Sequence, residues 1–146
     1  MDKEILLEEQ TQLLIISDEI KEHLIITVKW SYFLAILGFV GLVFITFAGV
    51  FMTIFSFGAI GNSAGVIPMY LFGIIYLVFG IIYFFPIKYL LNFSIKTKKA
   101  LTSNDQEILN ESFKNLKSHY KFIGIILIIT FGVYILSMLS FLLRLI

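Results

Sequence analysis

The chain has 146 residues, of which 59% are hydrophobic and 14% charged, whereas a soluble domain carries about 25% charged residues. Residues 1–29 hold seven acids against three lysines, residues 87–121 hold seven lysines against three acids, and no Asp, Glu, Lys, Arg or His lies between Trp30 and Ile87. So few polar groups cannot cover a soluble fold of this size, so the composition excludes that class. It predicts an all-α integral membrane protein.

The N-terminal segment, residues 1–29, is predicted to be an acidic amphipathic helix from about residue 4. Its apolar residues recur at three- and four-residue steps, which is a helical period. Helices that lie on anionic bilayers usually have a Lys/Arg-rich polar face, so packing against protein is the favoured interpretation here. Two alternatives stay open. In the first, this segment, whose net charge is −4, docks on the basic segment 87–121, whose net charge is +4. In the second, both are solvated faces that attract each other weakly.

The first predicted membrane span covers about residues 30–57. Trp30, Tyr32 and Phe33 open it, as is typical of an interfacial aromatic belt. As a helix it would be about 42 Å long, more than the roughly 30 Å of the hydrocarbon core, so it must tilt or project. A segment rich in glycine, residues 58–68, follows and predicts a turn.

The second predicted span covers about residues 69–85 and the third covers residues 122–146. Pro86 closes the second span, and we expect a kink there because proline removes a helical hydrogen bond. Between the two spans, residues 87–121 show helical apolar periodicity on both sides of a central break. They are predicted to form a basic antiparallel helical hairpin that projects from the membrane.

A helix-start signal marks the middle of this hairpin. Ser103 with Gln106, or Asn104 with Glu107, has the spacing of a capping box, in which the first side chain accepts hydrogen bonds from free backbone N–H groups. The second helix of the hairpin is therefore predicted to start at this point.

Charge predicts the orientation of the spans. Three spans put the N-terminal segment and the hairpin on one side with ten basic residues, against Arg144 alone on the other. Lysine and arginine excess marks the cytoplasmic face, so the N-terminus is predicted inside and the C-terminus outside. The hairpin lysines are candidates for contact with lipid headgroups, although three interspersed acids weaken that interpretation. They are Lys88, Lys96, Lys98, Lys99, Lys114, Lys117 and Lys121.

No catalytic, metal-binding or cofactor-binding residue is predicted. Ionisable residues inside a span are expensive and mark function, and these spans hold only Arg144 near the C-terminal end. This disfavours a proton-driven transporter. His23 and His119 lack a convincing third ligand for a metal, and no nucleic-acid recognition motif is present.

Small residues in the spans predict close helix packing. Such residues let helix backbones approach when lipid is as apolar as leucine. Packing within one three-helix bundle is the favoured interpretation, and a dedicated dimerisation or partner-docking seam is the alternative. The candidate helix-packing residues are Ala35, Gly38, Gly41, Gly49, Gly73, Gly80, Gly124 and Gly132.

The chain resembles a family of small bacterial inner-membrane proteins of unknown function, over roughly residues 28–135. The resemblance implies an aromatic-proline exit from a span into a basic cytoplasmic hairpin and a further span, in a bacterial inner membrane. It transfers no activity and no catalytic residue. It is carried by Tyr83-Phe84-Phe85-Pro86, Tyr89-Leu90, Phe93-Ser94, Lys99-Ala100-Leu101, Asn104-Asp105, Phe113-Lys114-Asn115-Leu116-Lys117-Ser118 and Phe122-Ile123-Gly124.

These features together predict a non-enzymatic membrane subunit or scaffold that needs no cofactor. Its partners would be the lipid bilayer and either further copies of itself or a larger membrane complex, with no nucleic acid. The alternative is a homo-oligomeric small channel or pore with hydrophobic gating. Its pore would be lined by tyrosines and by Ser31, Thr46, Thr53 and Ser56.

Overall fold

A computed structural model describes residues 17–59 and 69–145 of the chain. Within these ranges every element is an α-helix: α1 spans Asp18–Ala59, α2 spans Met69–Ser103 and α3 spans Gln106–Leu145. All three are long and apolar enough to cross a membrane. The chain is thus a helical multi-pass membrane protein, and the all-α prediction is confirmed at that level. The predictions for residues 1–16 and for the turn at 60–68 lie outside the described residues.

Helix α1 joins two predicted elements into one. Ser17 caps it, because its Oγ accepts a hydrogen bond from the backbone N–H of Ile20 at 3.3 Å. Neither glycine nor proline occurs between Ser17 and Gly38, so nothing interrupts the helix at the predicted boundary between residues 29 and 30. The described part of the acidic segment therefore continues directly into the first span.

The turn between α2 and α3 consists of two residues. Asn104 has φ 50°, the left-handed conformation that ends a helix, and the N–H of Asp105 bonds back to the carbonyl of Ala100 at 3.1 Å. The Asp105 carboxylate then accepts hydrogen bonds from the N–H groups of Glu107 at 2.9 Å and Ile108 at 3.0 Å. The same residue closes one helix and starts the next.

The capping residue predicted for this turn, Ser103 or Asn104, was wrong. Ser103 Oγ donates to the carbonyl of Lys99 at 3.0 Å, inside α2, and so does not cap α3. Asp105 takes the capping position because the left-handed Asn104 turns the chain one residue later than the box spacing implies.

Helix α2 is the centre of the arrangement. It packs against α1 on one side and α3 on another, while α1 and α3 share no contact within the described residues. It runs without interruption through Pro86, although proline cannot donate to the carbonyl of Ile82. The predicted kink at Pro86 stays a prediction.

Candidate functional site

The α1–α2 seam gathers four of the predicted packing glycines. Ala35 has no exposed surface, and a Cβ placed on Gly38 would stand 3.0 Å from Cγ1 of Ile87. A Cβ on Gly49 would stand 3.1 Å from the carbonyl oxygen of Gly73. The two helices therefore approach through their backbones, as small residues permit.

Gly73 is the tightest point of this seam. A Cβ there would stand 2.8 Å from the carbonyl oxygen of Gly49 and 2.9 Å from the backbone N of Thr53, and it would also overlap Oγ1 of Thr53. Gly80, on the same face two turns away, is looser: its Cβ would meet Oγ1 of Thr46 at 3.4 Å. The seam requires glycine at the first position and only a small residue at the second.

The remaining three candidates do not lie in the seam. A Cβ on Gly41, Gly124 or Gly132 would meet no atom of the described chain within 4 Å. These glycines could not be distinguished from the others by sequence, because the sequence does not show how each helix is rotated toward its neighbour.

The basic hairpin has a small polar core. Thr97 and Ser112 have no exposed surface, and Oγ1 of Thr97 donates to Oγ of Ser112 at 2.9 Å across the helix pair. Oγ of Ser112 in turn donates a hydrogen bond to the carbonyl of Leu109 at 2.6 Å, so both hydroxyls are satisfied. Phe93, 1% exposed, packs edge-on against Phe113 with ring centroids 5.9 Å apart. These contacts hold α2 and α3 together outside the apolar spans.

One ion pair crosses the same helix pair. Nζ of Lys96 lies 2.6 Å from Oε2 of Glu111. The hydrogen bond and the charge of Lys96 lower the pKa of the Glu111 carboxyl, with a smaller contribution of the same sign from Lys114. Both side chains stay in contact with solvent, so the pair favours the alignment of the hairpin more than its stability.

His119 joins the two helices at the membrane end of the hairpin. Its Nδ1 lies 2.7 Å from the carbonyl oxygen of Pro86, and because a carbonyl can only accept, Nδ1 carries the proton. His119 is half-buried, while His23 is exposed on α1. No group of three His, Cys, Asp or Glu side chains suited to a metal occurs in the described residues.

The lysines predicted to face lipid or solvent are exposed, with Lys96 less so because of its ion pair. Two of them, Lys98 and Lys99, line a groove between α1 and α2 that also includes Lys29 of α1. The groove encloses about 850 Å³. Its other walls are Ile25, Val28, Tyr32, Ser94, Ile95, Leu101 and Thr102.

The membrane half of α3, residues 125–144, stands apart from the other helices. Every residue from Leu127 to Arg144 is exposed, and no residue of the most apolar stretch is buried. Beyond the hairpin core, the rings of Phe85 on α2 and Phe122 on α3 lie 6.3 Å apart, just before this exposed stretch. This exposure could not be predicted from composition, since the third span is as apolar as the first.

The hydroxyls proposed to line a channel are placed in different environments. Oγ1 of Thr53 donates to the carbonyl of Gly49 at 2.8 Å, and Oγ of Ser56 donates to that of Met52 at 2.6 Å. Ser31 is buried and Thr46 is exposed. The channel alternative stays a prediction.

Comparison of the chain with protein families, curated proteins and solved structures found no match. The resemblance to small bacterial inner-membrane proteins therefore stays a prediction, and function has to be argued from the packing of the three helices.

Proposed function

We propose that the chain is a non-enzymatic membrane subunit or scaffold, which associates with itself or with a larger membrane complex through α3. One observation carries this proposal: every residue of α3 from Leu127 to Arg144 is exposed, while α1 and α2 close tightly on each other. A third helix that stays outside the bundle is available to a partner.

A polar stripe on α3 indicates which face the partner contacts. Thr130, Ser137, Ser140 and Arg144 follow at steps of seven, three and four, so they lie on one side of the helix. The last three also line a shallow groove along α3. Lipid tails offer such groups no hydrogen bonds, whereas a facing helix does, and small hydroxyl residues are frequent where membrane helices meet.

Native mass measurement after gentle detergent extraction tests the proposal. We expect an oligomer, or co-purification with a second membrane protein. A strictly monomeric chain without partners would count against it.

A matched pair of variants locates the contact. Ser137→Phe with Ser140→Phe fills the polar stripe and is expected to dissociate the assembly. Ile135→Phe with Leu142→Phe places the same two aromatic side chains on the opposite side of α3 and is expected to leave the assembly intact. Equal behaviour of the two double variants would remove α3's stripe from the proposal.

The proposed location is a bacterial inner membrane, with the N-terminus and the hairpin in the cytoplasm and the C-terminus outside. The lysine excess on the hairpin side supports this orientation. Because the chain has no cysteine, single cysteines at Lys98 and Leu145 report sidedness without further changes. We expect an impermeant thiol reagent on intact cells to label only position 145. Labelling of both positions from the same side would contradict the orientation.

A further inference from the structure

The groove between α1 and α2 concentrates positive charge on apolar walls. Lys29, Lys98 and Lys99 surround it, and Ile25 and Ile95 form part of its floor and sides. The ion pairs of the described residues are Lys21–Asp18 and Lys96–Glu111, so none of the three groove lysines is neutralised there. A ligand for this groove has to combine negative charge with apolar surface.

Two ligands have this chemistry: a phospholipid of the bilayer and an acidic, apolar segment of the chain itself. The position of the groove along α2 decides between them. The apolar run of α2 ends at Lys88, and the His119–Pro86 contact puts the end of the apolar run of α3 at the same level. Lys98 lies ten residues further along α2, about 15 Å at the helical rise. The headgroup layer beyond the hydrocarbon core is only about 5–8 Å thick. A phospholipid headgroup therefore reaches the groove only at Lys29, which directly precedes the interfacial residues Trp30 and Tyr32, and not at Lys98 and Lys99.

The first sixteen residues of the chain have the required chemistry. They carry four acids against one lysine, together with seven leucine and isoleucine residues. Their net charge of −3 equals in magnitude the charge of the three groove lysines. Residue 16 directly precedes Ser17, which caps α1. The groove begins at Ile25, about 12 Å along α1 from that cap. Sixteen residues span about 24 Å even as a helix, so they reach the groove after reversing direction.

We propose that residues 1–16 fold back into the groove between α1 and α2, with their acids on Lys29, Lys98 and Lys99 and their leucine and isoleucine side chains on the apolar walls. The segment is an internal ligand of the bundle. Because Lys29, Lys98 and Lys99 are exposed, salt screens their attraction for the acids of the segment, and the docked state weakens as ionic strength rises.

Distance measurement between two spin labels tests this docking in the full chain, reconstituted in nanodiscs of zwitterionic lipid. With cysteines at Leu7 and Ser103 we expect one narrow distribution of short distances, which broadens and moves to longer distances at high salt. A broad distribution at low salt would overturn the proposal.

Charge reversal separates the groove from general electrostatics. Lys29→Glu with Lys98→Glu and Lys99→Glu is expected to abolish the short distance. A matched control reverses three exposed lysines of α3, and it is expected to keep the short distance. The control is Lys114→Glu with Lys117→Glu and Lys121→Glu. Loss of the short distance in both triple variants, or in neither, would overturn the assignment of the groove.

A charge swap guards against misfolding of the groove variant. Reversing three acids of the N-terminal segment in the same chain is expected to restore the short distance, which a misfolded bundle would not do. Failure of the swap would overturn the proposal. The swap changes Glu4→Lys, Glu8→Lys and Glu9→Lys.

The same nanodiscs with added phosphatidylglycerol test phospholipid as the ligand of the groove. If the short distance is lost, and only the chain with its groove lysines unchanged retains this lipid, the groove binds lipid and not residues 1–16.

Discussion

Substitution of Gly73 by alanine probes whether the α1–α2 seam has the backbone contact described above. The new Cβ would stand 2.8 Å from the carbonyl oxygen of Gly49 and 2.9 Å from the backbone N of Thr53, both well inside van der Waals contact. Backbone atoms cannot rotate away as a side-chain tip can, so the helices have to separate or slide. Overpacking of this kind costs about 1–3 kcal/mol.

Gly80→Ala is the matched control for this prediction. It places the same methyl group on the same face of α2, where the nearest atom, Oγ1 of Thr46, is 3.4 Å away. Its expected effect is under about 1 kcal/mol, since alanine also favours the helix. Thermal unfolding of both variants in one detergent, followed by circular dichroism, measures the difference. If Gly80→Ala lowered the midpoint as much as Gly73→Ala, the proposed seam would be wrong.

Three further predictions concern the hairpin. Asp105→Ala removes the cap of α3 and is expected to lower hairpin stability by about 1 kcal/mol, measured by thermal unfolding. An unchanged unfolding midpoint would contradict the role of Asp105 as the cap. Ser112→Ala leaves the buried hydroxyl of Thr97 without its acceptor and is expected to cost about 1–3 kcal/mol, of which Thr97→Val in the same chain should recover a part; strict additivity would contradict the hydrogen bond. Because the pKa of Glu111 is lowered by Lys96, its stabilisation is full at neutral pH and is lost as pH falls through that lowered pKa. The stability difference between the wild-type chain and Lys96→Met should therefore shrink on acidification, and a difference independent of pH would contradict the ion pair.

Much of the fold could be predicted from the sequence because membrane insertion depends on local composition. A run without charged residues is unstable in water wherever it occurs in the chain, so the three spans followed from stretches that lack Asp, Glu, Lys, Arg and His, apart from Arg144 near the end of the third. The hairpin was predicted on the same local grounds, from helical periodicity on both sides of a turn signal.

The packing residues could not be sorted in this way. Gly38 and Gly41 are three positions apart on α1 and look equivalent in sequence, yet only Gly38 meets α2, at Ile87. Which side of a helix faces its neighbour depends on the rotation of both helices, and an evenly apolar surface carries no signal of that rotation. The capping residue was misjudged for a related reason: the left-handed conformation of Asn104 moved the cap to Asp105.

Two separate sets of contacts hold the three helices, and this division explains why association is assigned to α3. The seam around Gly73 fixes α1 to α2 inside the apolar spans, where backbone contact leaves no space between them. Helix α3 is held to α2 by the polar core at Thr97 and Ser112 and by the His119–Pro86 hydrogen bond, all of which precede its membrane half. The hairpin therefore positions α3 beside the α1–α2 pair without burying it. A helix anchored at one end and exposed along the rest can exchange lipid for a protein partner while it keeps the contacts that anchor it.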